Sequence, residues 1–176
     1  MTQIARWYDL LLWKVNVPDF VLNCHKVYEE HTLAFVKESF SLVDRVMVLS
    51  VKGDIEQWHR KTNIQWAVHV SIQLESKGHT VLIAEDPDVE YTGVVWLYDD
   101  GAGYVQIGKK GKKMWFAHYS RMDNLKLRYI FRLLYDFLLK IKCPGIQVDF
   151  AWATEMVGVL GNRYLVYDFK PIAKKA

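Results

Sequence analysis

Two short patterns place a histidine and a serine two residues apart, His69-Val70-Ser71 and His118-Tyr119-Ser120. On an extended strand, residues i and i+2 share a face, so each imidazole would stand beside a hydroxyl. Imidazoles can take up or give a proton near neutral pH, and hydroxyls can hydrogen-bond an anion. Asp149 is a further candidate base, because it points opposite to the apolar Val148 and Phe150 that flank it. The last candidate is the stretch Ser120-Arg121-Met122-Asp123-Asn124 ahead of an apolar-periodic segment. A helix beginning at Leu125 would offer its free N–H groups to an anion there.

These residues need elements to position them. Residues 4 to 14 read as a short helix with Trp7, Leu10 and Leu11 on its apolar face, and Pro18-Asp19 opens a second helix running to about Phe40. Arg45 to Val51 is a strand stopped by Lys52-Gly53, after which Asp54 caps a short helix through Trp58. Trp66, Val68, Val70, Ile72 and Leu74 alternate with polar residues and predict a strand that carries His69 and Ser71. A turn at residues 75–78 leads to a second strand, Thr80 to Ala84. Hairpins follow: Gly93 to Tyr98 with Tyr104 to Ile107, then the lysine turn at residues 109–113 and a strand from Met114 to Tyr119. Asp123 or Asn124 caps the longest helix, Leu125 to about Lys142, whose apolar stripe includes Leu134 and Phe137. A strand over Ile146 to Trp152, a Thr154-capped helix ending at Gly161-Asn162 and a strand over Tyr164 to Phe169 close the order.

Composition removes several classes. The chain has 176 residues, enough for one well-buried core and too few for two ordinary domains. A net charge of +3 does not support nucleic-acid binding. Cys24 and Cys143 form no C-x-x-C pair, and the six histidines contain no H-x-x-x-H pair, so no metal set is expected and both thiols read as reduced and buried. No apolar run approaches the length of a membrane span. The N-terminus lacks a signal-peptide cleavage site. The expected location is the cytoplasm, that of a host if the source is viral.

From about residue 45 the order strand, short helix, antiparallel strands, long helix, strand, short helix, strand resembles the acyl-CoA N-acyltransferase (GNAT) fold, best over residues 79–169. The family's Q/R-x-x-G-x-G/A loop falls where a strand meets the long helix. Arg121 stands at its first position, Asn124 and Lys126 stand at the glycine positions, and Leu160-Gly161 is similar to the family's closing glycine. The resemblance implies an α+β fold with a mixed, mostly antiparallel sheet flanked by helices. Residues 1–44 would form an N-terminal helical extension packed on a core domain of residues 45–176, one structural domain overall. It further implies acyl transfer from acetyl-CoA or another acyl-CoA to an amine, with Ser120, Arg121 and Asn124 on the cofactor and His118 or Asp149 as base. The layout is also similar to acetyltransferase-like phage proteins whose loops depart from the pattern. For a non-catalytic member of that kind, the N-terminal helix and the basic hairpin at 109–113 are the surfaces for a host or virion protein. The paired H-x-S motifs resemble the two-histidine phosphoesterases, which implies cleavage of a cyclic or 2′–5′ phosphodiester by His69, Ser71, His118 and Ser120.

Overall fold

The computed structural model describes residues 3–22, 29–40 and 43–173, and the backbone alone at 22 and 29–31. Two compact units divide the chain: residues 18–88 form one, and residues 3–17 together with 89 onward form the other. Neither bound falls at residue 44 or 45.

The unit of residues 18–88 contains β1 (Phe20–Leu22), α2 (Glu29–Ser39), β2 (Val46–Lys52), β3 (Ile55–Thr62), α3 (Ile64–Ser76) and β4 (Thr80–Glu85). Its four strands pair antiparallel in the order β1-β4-β2-β3. The central strands β2 and β4 are buried along nearly their whole length, as their unbroken apolar runs require. Val36 and Phe40 at the end of α2, with Ala67 and Val68 of α3, form a core with Val46, Val48, Val81 and Ile83 of the sheet.

Three expectations are corrected in this unit. The segment Trp66 to Leu74 lies inside α3 and is not a strand. The Asn63 side chain accepts the Trp66 N–H at 2.8 Å and caps the helix. Ala67, Val68 and Ser71 then face the core at helical spacing, while Trp66 is 41% exposed. The residues after Lys52-Gly53 form the edge strand β3, joined to β2 by the two-residue turn Gly53-Asp54, so Asp54 caps no helix. Phe20 starts a short strand, and the helical part of 20–40 is Glu29–Ser39. Cys24, Val27 and Tyr28, expected on that helix, lie outside the described residues.

The other unit contains α1 (Gln3–Leu12), β5 (Val89–Tyr98), β6 (Gly103–Ile107), β7 (Met114–Phe116), α4 (Leu125–Ile141), β8 (Gly145–Val157) and β9 (Asn162–Pro171). Its five strands run antiparallel in the order β7-β6-β5-β8-β9. Helix α4 buries Ile130, Leu134, Phe137 and Leu138 of the stripe read from its sequence, together with Leu127 and Phe131, while Leu125 and Tyr129 of that stripe are exposed. Phe131 meets Phe150 edge-on at 5.9 Å between ring centres, and Phe137 meets Phe169 at 5.1 Å. Helix α1 docks on β9, where Gln3 Nε2 (3.1 Å) and Trp7 Nε1 (2.6 Å) both donate to the Tyr167 carbonyl. Trp7 and Leu10 are fully buried. Cys143, expected to be buried, is partly exposed and free.

The expected helix at 154–162 is absent. Strand β8 continues to Val157 and turns back at 158–161 into β9. The buried Asn16 holds that turn: its Nδ2 donates to the Val157 and Tyr164 carbonyls (2.9 and 2.8 Å), and its Oδ1 accepts the Leu160 N–H (2.9 Å). Gly158 has φ +81°, and a Cβ there would lie 2.6 Å from the Asn16 amide, so this position needs glycine twice over. The α+β class with antiparallel sheets stands. The single GNAT-like sheet does not, because the strands divide into two separate sheets.

Candidate functional site

The stretch 118–124 is built by local contacts. His118 is the N-cap of a single 3-10 turn over Tyr119–Arg121. Its Nδ1 lies 2.7 Å from Ser120 Oγ and accepts the Ser120 N–H at 3.2 Å. The ring stacks on Tyr119 at 4.6 Å and packs against Gly101, where any side chain would collide with it. Asn124 Oδ1 accepts the Leu127 N–H at 3.1 Å, so the start of α4 is capped by its own chain. Arg121 is exposed, and the Ser120 carbonyl accepts from Arg128 at 3.3 Å. No glycine-lined phosphate loop forms here.

The two H-x-S motifs do not form matched strand pairs. Residues two apart on α3 point about 200° apart around the axis. His69 is accordingly exposed beside Gln73 (3.1 Å), in a shallow depression lined by Asn63, Gln65 and Trp66. Ser71 is buried, with its hydroxyl on the Ala67 carbonyl at 2.6 Å. His118 and Ser120 lie beyond the end of β7 and bond to one another. His69 belongs to the unit of residues 18–88 and His118 to the other. The phosphoesterase reading loses the shared strand geometry on which it rested.

Asp149 does stand on a chemically organised surface. It lies on β8 with its side chain on the sheet face opposite α4, and its cross-strand partner on β9 is Asp168. Burial against the sheet and, next, the Asp168 charge push the Asp149 carboxyl above its ordinary pKa, while Lys170 pulls it down. Asp168 is bound by Arg6, with Nε to Oδ1 at 2.6 Å and a second nitrogen to Oδ2 at 3.1 Å, and its Oδ1 also accepts the Phe169 N–H at 2.9 Å. Gln147 and Lys170 pair directly across the same two strands. The row through them continues to Trp96, Tyr104 and Trp115 on β5, β6 and β7, and Trp96 Nε1 donates to Gln147 Oε1 at 3.1 Å. Asp168, Lys170 and Gln147 were not singled out from the sequence. The available signal was the period-2 match of Gln147 and Asp149 with Asp168 and Lys170, visible only once 162–171 is known to pair with 145–157.

No family model and no curated protein matches the chain. Solved structures do. The chain is similar to the macrocyclase MdnC from Microcystis aeruginosa MRC, bound with precursor peptide MdnA, at 9% identity over 98% of this chain and 51% of that one, with TM-score 0.62. It is similar to the D-alanine-D-alanine ligase from Coxiella burnetii at 12% identity, 98% and 48% coverage and TM-score 0.62. The N5-carboxyaminoimidazole synthetase from Staphylococcus aureus complexed with ADP matches at 8% identity, 98% and 44% coverage and TM-score 0.59. The chain spans about half the length of these proteins. These neighbours are ATP-grasp fold proteins, and this chain resembles in fold the part of them that it matches. The GNAT assignment, the likeness to acetyltransferase-like phage proteins and the acyl-CoA cofactor are therefore overturned, and with them the roles of Ser120, Arg121 and Asn124 as acyl-CoA contacts. Among the described residues, no helix is long and apolar enough to cross a membrane.

Proposed function

We propose that the chain binds an adenine nucleotide, ADP or ATP, together with a divalent cation, on the face of its five-stranded sheet that carries Asp149 and Asp168, and that it serves a ligase or synthetase reaction. The observation that carries this reading is the cross-strand carboxylate pair, in a fold shared with a synthetase complexed with ADP. Two carboxylates held opposite one another repel, which adds to burial in raising the Asp149 pKa. A hard cation such as Mg²⁺ relieves that repulsion. It takes one or two carboxylates and completes its oxygen set with phosphate and water.

The residues fit that group. Among the described residues no cluster of three or more His, Cys, Asp or Glu side chains could hold a metal by itself, so the ligand's phosphates have to supply further oxygens. Asp149 is the more exposed carboxylate, and Asp168 is oriented by Arg6 and the Phe169 N–H. Lys170 supplies a positive charge and Gln147 an amide to the phosphate oxygens on the same face. A bound cation would offset the charge of the phosphates. The chain's own part is to align the two carboxylates, with Lys170 favouring the ionised form of Asp149 against burial and the Asp168 charge.

Calorimetric titration with ADP, with and without MgCl₂, tests this. Binding is expected to need Mg²⁺ and to weaken by about tenfold or more in Asp149→Asn, equivalent to at least about 1.4 kcal/mol. Because the pKa of Asp149 is raised, binding should fall away with decreasing pH earlier than for an ordinary aspartate titrating near about 3.9. Absence of heat with folded protein and Mg·ADP, or equal affinity in the variant, would sink the reading.

A further inference from the structure

We propose that the edge of the sheet at β7, with the lysine turn before it, is a docking site for an extended acidic peptide. Strand β7 is the last in its sheet, and no further strand pairs with it among the described residues. Its outer edge therefore presents backbone N–H and C=O groups that an added strand can satisfy. The turn ahead of it places Lys109, Lys110, Lys112 and Lys113 at the surface, and none of the four is paired with a carboxylate among the described residues. Lys113 rests instead on two aromatic faces, its Nζ 4.2 Å from the centre of the Trp96 ring and 4.6 Å from that of Tyr104. That seat holds the Lys113 cation over the face of β5 and β6, next to β7, while Lys109, Lys110 and Lys112 project from the turn.

The apolar part of the site lies next to the charge. Met114 is 53% exposed and Trp115 46%, on consecutive residues of the edge strand, and Trp115 packs on Tyr104 at 4.9 Å between ring centres. Lysines beside a short edge strand also guard against unwanted pairing. Guarding alone does not call for a tryptophan and a methionine left in water on the same strand. The combination selects a partner that supplies main-chain hydrogen bonds, an apolar or aromatic side chain for Trp115, and carboxylates for the lysines. A strand of like charge is rejected by the same turn. A single-stranded nucleic acid could meet the lysines and Trp115, but it would leave the free backbone edge unused. The edge lies three strands from Asp149 on β8.

The probe is a fluorescein-labelled peptide Glu-Val-Glu-Phe-Glu-Val-Glu, followed by fluorescence anisotropy. Two further peptides carry N-methyl groups on alternate amides, one set on each edge. Binding is expected to weaken by about tenfold or more in Lys112→Glu/Lys113→Glu. Circular dichroism should show that variant folded, since both side chains are exposed. One N-methylated set should abolish binding and the other should leave it intact, because only one edge of the peptide meets β7. Failure of the parent peptide to bind, equal affinity in the charge-reversed variant, or equal effects of the two methylated sets overturns the proposal. Tighter binding of single-stranded oligothymidylate than of the peptide also overturns it, in favour of nucleic acid.

Discussion

Asp86 has no exposed side-chain surface and yet stays charged. Burial alone would raise its pKa. Hydrogen bonds from Arg60 (2.9 and 2.8 Å) and from the Lys61 backbone N–H (2.7 Å), together with both positive charges, outweigh burial and hold the carboxyl below its ordinary value. A carboxyl whose folded pKa is depressed adds stability that is present above its unfolded pKa of about 3.9 and is lost as pH falls through the folded value. Asp86→Asn should cost about 2–3 kcal/mol in urea unfolding at neutral pH, since it weakens charge-assisted bonds to a buried acceptor. The deficit should shrink as the pH is lowered below about 4. A pH-independent difference would show that packing, not charge, sets the effect. The sequence does not separate Asp86 from Asp88, which stands two residues on and is 92% exposed. Burial of one and solvation of the other depend on where β3 brings Arg60. Asp149 is the opposite case, because its alternation with Val148 and Phe150 already marked it as facing away from the core, although only its pairing revealed Asp168.

At the scale of elements, α4 shows how a helix becomes legible: a long apolar stripe and an asparagine just ahead of it leave no other solution. The cap gives a test that separates its present role from the cofactor role first read there. Asn124→Ala should lower stability by about 1 kcal/mol, and Asn124→Ser should restore most of it. Thermal melts of the two variants check this, and equal losses in both would contradict a capping role. Helix α3 shows why such reading fails. Its alternation of Trp66, Val68, Val70, Ile72 and Leu74 satisfies period 2, while Ile64, Ala67, Val68 and Ser71 satisfy the helical period at the same time. Only Asn63 broke the tie, by capping. Strand β3 was hidden for a different reason: it is a polar edge strand, so it carries no buried face to announce it.

At the scale of the whole molecule, α1 is separated by about 160 residues from the strand it covers. Trp7→Ala should cost about 3–5 kcal/mol, because it removes a fully buried indole and a hydrogen bond to the Tyr167 carbonyl. Hydrogen exchange should then show amides of β8 and β9 losing protection, and unchanged exchange there would mean that α1 is dispensable. By itself the sequence determined the antiparallel α+β character, most individual strands, both ends of α4 and the apolar face of α1. Those features rest on local periodicity, turn glycines and caps, which neighbouring residues specify. Only the tertiary structure decided that the strands divide into two sheets, that Asn16 closes the β8–β9 turn, and that Asp149 meets Asp168 while His69 and His118 lie in different units. Pairing register and sheet membership are set by contacts between residues far apart in the chain, and period-2 patterns are the same for every strand that could pair.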